Sequence, residues 1–223
     1  MNYLLHLVIY LSIYAIVALS LNIVVGYCGR LTLAHAGYYA VGSYAYALVA
    51  LKLGWGFLPA LALAVGLAAV LSLAVSLPTW RLKGDFFVMV SLAVQTLIFS
   101  VIYNWTSADD EPGTWKNLTN GPFGLAGVPS PAIIGIKFDT LSSMALLSLV
   151  LAGVCFLLGW ALLHSPWGRV LQAMRDDELV ARGLGKNVRL LKAEAFAVAC
   201  GMAAVGGAIY ASYVSYVDPS LAS

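Results

Sequence analysis

The sequence predicts an all-α membrane protein, a polytopic transmembrane bundle of about six helical spans. Of its 223 residues, 61% are hydrophobic and only 10% are charged, against roughly 45–50% and about 25% in soluble domains. The apolar residues fall into runs of about 20, the length that crosses a ~30 Å hydrocarbon core. Such runs account for nearly the whole chain, so residues 1–223 are predicted to form one domain lying in the lipid bilayer.

Turn residues and short polar intervals separate the predicted spans. In chain order the spans cover residues 4–25, 31–53, 57–77, 86–103, 141–163 and 193–217. The first lacks a basic amino-terminal region and an A-x-A cleavage pattern, so a retained helix is predicted. The second is rich in Gly, Ala and Tyr, and it is predicted to be the packed centre because small residues let membrane helices approach closely. A broken or re-entrant second segment is the alternative.

Lys and Arg are concentrated on one predicted side of the membrane. Alternating spans place the turns near Arg30, at 80–83 and at 165–192 together, and these hold nine of the twelve basic residues. The other three are Lys52, Lys116 and Lys137. Since cytoplasmic loops are enriched in Lys and Arg, the first set is predicted to be cytoplasmic and the amino terminus periplasmic. A re-entrant second segment would reverse only the amino terminus.

Residues 165–192 form a long polar interval with a helical pattern between two apolar runs. Pro166 and Gly168 predict a helix start, and Gly183 and Gly185 predict its end. Five apolar residues form a stripe suited to docking: Val170, Leu171, Met174, Leu179 and Leu184. The interval is therefore either a loop that only fixes topology or an amphipathic helix presented to a soluble partner.

Residues 168–181 (GRVLQAMRDDELVA), with 184–188 (LGKNV) and Lys192, resemble the ATPase-coupling loop of branched-chain amino acid ABC transporter permeases of the LivM type. In that family the loop sits in a cleft of the ATP-hydrolysing subunit and passes on its motion. The resemblance implies coupling roles for Arg175, Asp176, Asp177, Glu178, Ala181, Arg182, Gly183 and Gly185. It also implies that two partner ATPase subunits bind ATP and Mg, while this chain binds no cofactor.

The interval 104–139 is the longest other polar stretch, and its Gly and Pro content predicts an ordered outer loop. Its run 118–129 (LTNGPFGLAGVP) resembles the stretch that faces the periplasmic solute-binding protein in the same family. The resemblance assigns that role to Thr119, Asn120, Gly121, Gly124 and Gly127. The acidic residues 109–111 would pair with basic groups of such a partner, or form a solvated turn.

Two further stretches, 26–37 (GYCGRLTLAHAG) and 81–87 (RLKGDFF), extend the resemblance over nearly all of residues 20–219. The family's members continue with more membrane helices after a segment like 216–219, so the resemblance implies helices beyond those in this sequence. A second, homologous permease subunit is also implied.

Four residues within the predicted spans are candidates for a substrate path: Asn22, His35, Gly37 and Gln95. An ionisable group such as His35 inside a span is a functional hypothesis by default. The alternative is a neutral histidine that packs between helices. Small residues recurring every four positions from Ala195 to Ser215 predict close helix packing, either within the chain or between subunits.

Several functions are excluded by missing patterns. The sequence has no G-x-x-x-x-G-K-[ST] phosphate loop, no clustered His or Cys and no nucleic-acid signature. No metal site is therefore predicted, and the chain is predicted not to be an enzyme. The predicted function is the permease subunit of an ABC importer for branched-chain or other hydrophobic amino acids in the bacterial inner membrane. The alternatives are a permease for urea or short amides, an ATP-independent channel or carrier, and a non-transporting scaffold.

Overall fold

A computed structural model describes residues 2–79, 82, 84–107, 109–133 and 136–222, without the side chains of 136 and 137. The described residues form eight α-helices: α1 (Asn2–Asn22), α2 (His35–Leu48), α3 (Phe57–Thr79), α4 (Asp85–Asn104), α5 (Leu141–His164), α6 (Pro166–Asp176), α7 (Glu178–Gly183) and α8 (Val188–Val214). Helices α1 and α2 continue as π-helices over Ile23–Tyr27 and Val49–Leu53. Short 3-10 helices cover Gly121–Phe123 and Pro219–Ala222.

Two pairs of very short antiparallel strands complete the fold. Strand β1 (Leu125–Ala126) pairs with β4 (Tyr216–Val217), and β2 (Ala132–Ile133) pairs with β3 (Ile136–Lys137). In the first pair Leu125 lies opposite Val217. This pairing ties the 104–139 interval to the residues that follow α8.

The predicted polytopic helical bundle is confirmed. Five described helices are long and apolar enough to cross a membrane: Asn2–Tyr27, Phe57–Thr79, Asp85–Asn104, Leu141–His164 and Val188–Val214. The predicted second span, α2 with its π-helical continuation, is not among these five. It begins at His35, four residues later than predicted, because residues 29–34 are irregular, with Gly29 in a left-handed backbone conformation (φ 68°).

The π-helical end of α2 lies at the opposite end of the bundle from its start. Near the start, Arg30 Nη2 donates a hydrogen bond of 2.7 Å to the carbonyl of Leu82. At the other end, the Lys52 side chain lies against Gly113 in the 104–139 interval. Helix α2 therefore runs through the bundle and does not turn back, which is the geometry of a crossing segment.

The bundle has two distinct ends. We call the end with residues 26–34, Leu82 and helices α6 and α7 the basic end. Here Arg175 donates to the carbonyl of Gly26, so intervals predicted on one side of the membrane do meet. Arg81 and Lys83, which also entered that prediction, lie outside the described residues. The opposite end, with the 104–139 interval and β4, we call the cap end.

Helices α2 and α8 form the centre of the bundle through small residues. A methyl group on Gly42 would overlap the backbone of Ala204, and one on Gly207 would overlap the carbonyl of Tyr39. Ser43 Oγ donates to the carbonyl of Gly207 at 2.9 Å. The small-residue series of α8 thus packs within the chain, and of its members only Ser215 is exposed.

Candidate functional site

The polar segment at the basic end, residues 165–187, is two short helices and not the single helix that the pattern predicted. Helices α6 and α7 meet at Asp177, whose backbone is extended (φ −147°, ψ 106°). Asp177 Oδ1 accepts hydrogen bonds from the backbone N–H groups of Leu179 and Val180, at 2.8 and 3.1 Å. A carboxylate in this position satisfies unpaired N–H groups and is favoured by the helix dipole. Asp177 therefore starts a new helix, α7. We refer to α6 and α7 together, with the residues that flank them (165–187), as the coupling segment.

The apolar stripe of the coupling segment divides between two surfaces. Leu171 and Met174 are buried against the bundle. Leu179 and Leu184 are instead exposed, at 70% and 75% of their surface, and so is Val180, which was not part of the predicted stripe, at 58%. The prediction of one docking stripe was wrong in this respect, because the break at Asp177 turns α7 relative to α6. One set of apolar residues therefore packs the segment against the bundle, and a second set is exposed on its surface.

The acidic residues of the coupling segment have separate surroundings. Asp176 is exposed and lies 3.8 Å from Arg175. Glu178 forms ion pairs with Arg182 and with Lys192, whose Nζ lies 2.7 Å from Glu178 Oε2. The Lys192 side chain is only 7% exposed, so the second pair is largely removed from water.

The small residues assigned to coupling also differ in position. Ala181 is buried against the bundle, whereas Gly183 is exposed. Gly185 has a left-handed backbone (φ 77°), which glycine adopts without the steric cost of a side chain. Gly185 therefore permits the turn between α7 and α8.

A cavity of about 200 Å³ lies between part of the coupling segment and the bundle. Its lining includes Cys28, Arg30, Met174, Glu178 and Lys192. Burial raises the pKa of the Cys28 thiol above its ordinary value, and nearby Arg30 and Lys192 oppose that rise. Burial also lowers the pKa of the Arg30 guanidinium, against the opposing effects of Cys28 and Glu178. Charged groups from three segments of the chain therefore converge beneath the coupling segment.

The four candidate path residues have different surroundings. His35 Nε2 lies 2.7 Å from Ser20 Oγ of α1, and His35 Nδ1 has no partner among the described residues. Gly37 packs against Gln95 and Ile98 of α4. Asn22 lies apart from these residues, exposed in a cleft between α1 and α5. Gly37 and Gln95 are brought into contact, and Gln95 Oε1 is buried without a hydrogen-bond partner in the described structure.

The cap-end residues predicted to face a binding protein mostly point inward. Thr119 is buried, and its Oγ1 donates to the carbonyl of Ile102 at 2.6 Å. Gly121 and Gly124 are buried at positive φ, where a side chain would meet neighbouring backbone. These residues shape the cap and fix it to the bundle, and their role in contacting a binding protein stays a prediction.

Two predicted cap residues lie closer to the surface. Asn120 is partly exposed, and its side-chain amide donates to the carbonyl of Gly124 at 2.9 Å. Gly127 is exposed and donates through its backbone N–H to Ser215. The most exposed large side chains of this interval are Trp115 and Phe123, which the sequence reasoning did not single out.

Two contacts of the coupling segment were also missed from sequence. They are Glu178 with Lys192, and Trp167 Nε1 donating to Glu194 Oε2 at 3.0 Å. The available signal was three charged residues, Arg189, Lys192 and Glu194, in the first two turns of a mostly apolar helix. Charges near the end of a membrane helix find partners there because water alone does not fully solvate them.

Fold and site together define a multi-pass membrane protein whose coupling segment packs against the basic end of the bundle and exposes apolar side chains. The chain belongs to the family of the branched-chain amino acid transport system permease component, whose sequence model matches residues 3–223. It is 30% identical over 230 residues to the high-affinity branched-chain amino acid transport system permease protein LivM of Escherichia coli (strain K12), covering 93% of this chain and 52% of LivM. LivM of Salmonella typhimurium matches with the same identity and coverage.

A more distant similarity is to the autoinducer 2 import system permease protein LsrC of Salmonella typhimurium. It is 28% identical over 130 residues, which cover 58% of this chain and 33% of LsrC. The chain spans about half the length of the LivM proteins that it matches. No solved structure matches the chain.

Proposed function

We propose that the protein is a transmembrane permease subunit of an ABC importer that moves branched-chain or other hydrophobic amino acids across the bacterial inner membrane. Two partner ATPase subunits bind and hydrolyse ATP with Mg. A second, homologous permease subunit completes the membrane part, and a periplasmic solute-binding protein delivers the solute to the cap end.

The exposed apolar face of α7 is the observation that carries this proposal. Leu179, Val180 and Leu184 project from a polar segment that lies beyond the membrane helices, so lipid does not account for their exposure. Apolar side chains exposed together on a polar surface mark a site of protein contact. A soluble ATPase subunit provides such a contact. Movement of that subunit would pass to the bundle through the buried face of the coupling segment.

The charge distribution supports an orientation for the complex. Most Lys and Arg residues lie in the intervals assigned to the basic end, which favours a cytoplasmic position for that end. With six crossings, the amino terminus is then periplasmic. The ATPases would meet the coupling segment from the cytoplasm, and the solute would arrive at the cap.

The similarity to LivM supports branched-chain amino acids as the solute. A second candidate is a small solute of another class, which the similarity to an autoinducer 2 import permease supports. Uptake by the reconstituted complex, measured with leucine, isoleucine and valine against unrelated small solutes, distinguishes these candidates.

Replacement of Leu179 by Asp tests the proposed ATPase contact. A charge in place of an exposed apolar anchor should reduce copurification of the ATPase subunits, with a cost of about 2 kcal/mol or more if Leu179 is a central contact residue. Uptake should fall in parallel, because the membrane part is no longer driven.

Gln172→Asp is the matched control, since Gln172 is exposed on α6 of the same segment but lies outside the apolar face. This control should leave copurification unchanged. Full ATPase binding by Leu179→Asp would contradict the proposed contact, and absence of any copurifying ATPase with the unmodified protein would contradict the function itself.

A further inference from the structure

Side-chain contacts at the basic end attach helix α8 to the coupling segment. Lys192 of α8 pairs with Glu178 of α7 at 2.7 Å. Glu194 of α8 accepts a hydrogen bond of 3.0 Å from the indole N–H of Trp167 in α6. Both helices of the coupling segment are therefore joined to the first two turns of α8.

The other end of α8 is attached to the cap. Ser215 ends the helix in a left-handed conformation, and its carbonyl accepts hydrogen bonds from the N–H groups of Gly127 and Val128, at 3.0 and 3.3 Å. Strand β4 then pairs with β1, and the Tyr216 hydroxyl donates to the carbonyl of Phe123 at 3.0 Å. The cap is thus hydrogen-bonded directly to the residues that follow α8.

Between these two attachments α8 is one uninterrupted helix of 27 residues, about 40 Å long at 1.5 Å per residue. Close backbone approach to α2 at Gly42 and Gly207 restricts bending within its length. Helix α8 can therefore move as a unit, so that a displacement at one end is felt at the other.

The covalent link between α7 and α8 does not by itself fix their relative orientation. Only residues 184–187 connect the two helices, and Gly185 among them has a left-handed backbone. The Glu178–Lys192 pair, largely shielded from water, is a side-chain contact that holds α7 against α8 across this turn. Breaking a shielded pair by removing one partner is far more disruptive than losing an exposed one.

We infer that α8 carries movement of the coupling segment to the cap, and that the Glu178–Lys192 ion pair is the joint through which α7 acts on α8. The inference rests on the proposed function, because the partner ATPases would supply the movement. Glu178 and Lys192 are positioning residues in this scheme. The nucleotide state of the cytoplasmic subunits would thereby set the conformation presented to a solute-binding protein on the other side of the membrane.

The test follows a label at the cap while the nucleotide changes at the basic end. Phe123 is 77% exposed, and the native cysteines are buried, so a Phe123→Cys variant gives one readily labelled thiol at the cap. The permease–ATPase complex is reconstituted, and the rate of labelling by a membrane-impermeant maleimide is measured without nucleotide and after trapping with ATP and vanadate. We expect trapping to change this rate by about fivefold or more, the lower end of typical coupling between sites.

Adding Glu178→Gln should reduce that response to less than about twofold, while ATP hydrolysis continues. Adding Arg169→Gln is the matched control, because Arg169 is a charged residue of the same segment that is exposed and was assigned no coupling role. The control should respond like the parent. If Glu178→Gln does not accumulate, the double variant Glu178→Gln/Lys192→Met, which leaves no unpaired Lys192 charge, takes its place with the same expected loss.

The possible outcomes distinguish failure of the Glu178–Lys192 joint from failure of the proposed function on which it rests. A parent complex that takes up no solute with ATP would overturn the proposed function. A parent complex that transports and shows the labelling response, combined with an undiminished response in Glu178→Gln or in the double variant, would overturn the joint alone.

Discussion

Helices α8 and α4 are both apolar enough to span a membrane, but α8 is mostly buried inside the bundle and α4 is mostly exposed on its surface. Within its most apolar window, 78% of α8 is buried inside the chain, against 17% of α4. Buried positions of α8 are largely Ala and Gly, whereas α4 directs Phe86, Met89 and Leu97 outward. Hydropathy alone therefore does not distinguish a central helix from a peripheral one, but residue size does.

The physical reason lies in the solvent. Lipid tails are as apolar as leucine, so burial of a large side chain between membrane helices gains little, and association depends on close packing and interhelical hydrogen bonds. Small residues allow both, as the approach of Gly42 to Ala204 and the hydrogen bond from Ser43 to Gly207 illustrate. Large side chains suit the surfaces that face lipid or other subunits.

Replacing a glycine between α2 and α8 by a larger residue should destabilise the protein more than any other substitution proposed for it. A Gly42→Leu side chain would overlap the backbone of Ala204, so we expect a loss of about 3 kcal/mol or more, the upper range for overpacking. The protein should then be lost from the membrane fraction. Quantitative immunoblotting of membranes and size-exclusion chromatography in detergent measure this outcome.

Gly153→Leu on α5 is the matched control, because a methyl group placed at Gly153 would have no described atom within 4 Å apart from the adjoining residues and backbone of its own helix. It should accumulate normally. Equal accumulation of the Gly42 and Gly153 variants would mean that α2 and α8 do not meet as described.

A smaller effect is expected from pH at the basic end, where a buried thiol can be compared with an exposed one. Burial raises the pKa of Cys28, so its thiolate should form at higher pH than that of an ordinary thiol. Alkylation of Cys28 should therefore be slow near neutral pH, and its rate profile should be displaced upward relative to that of a Gln172→Cys variant. Mass spectrometry of the separated peptides reports both rates, and coincident profiles would show that the cavity around Cys28 is open to water.

The sequence allowed the spans and the packed centre to be predicted because hydrocarbon length and residue size are local properties. The interval 141–163 agrees with α5 (Leu141–His164) to within one residue. The later start of α2 was not predicted, because it depends on the left-handed backbone of Gly29.

The coupling segment and the cap were predicted less accurately. Asp177 reads as one of three adjacent acidic residues, and only its hydrogen bonds to Leu179 and Val180 show that it ends one helix and caps another. Likewise, Gly121 and Gly124 lie in an exposed-looking loop sequence but are buried by close backbone approach. The Glu178–Lys192 pair joins residues on two helices, so no periodic pattern could reveal it.

The central claim is that the coupling segment lies in the cytoplasm, where ATPase subunits contact it. Labelling of a Gln172→Cys variant with a membrane-impermeant maleimide tests this most directly, since Gln172 is exposed and the native cysteines are buried. The predicted result is labelling in inside-out vesicles and no labelling of intact cells. Labelling of intact cells would place the segment on the wrong side of the membrane and contradict the account.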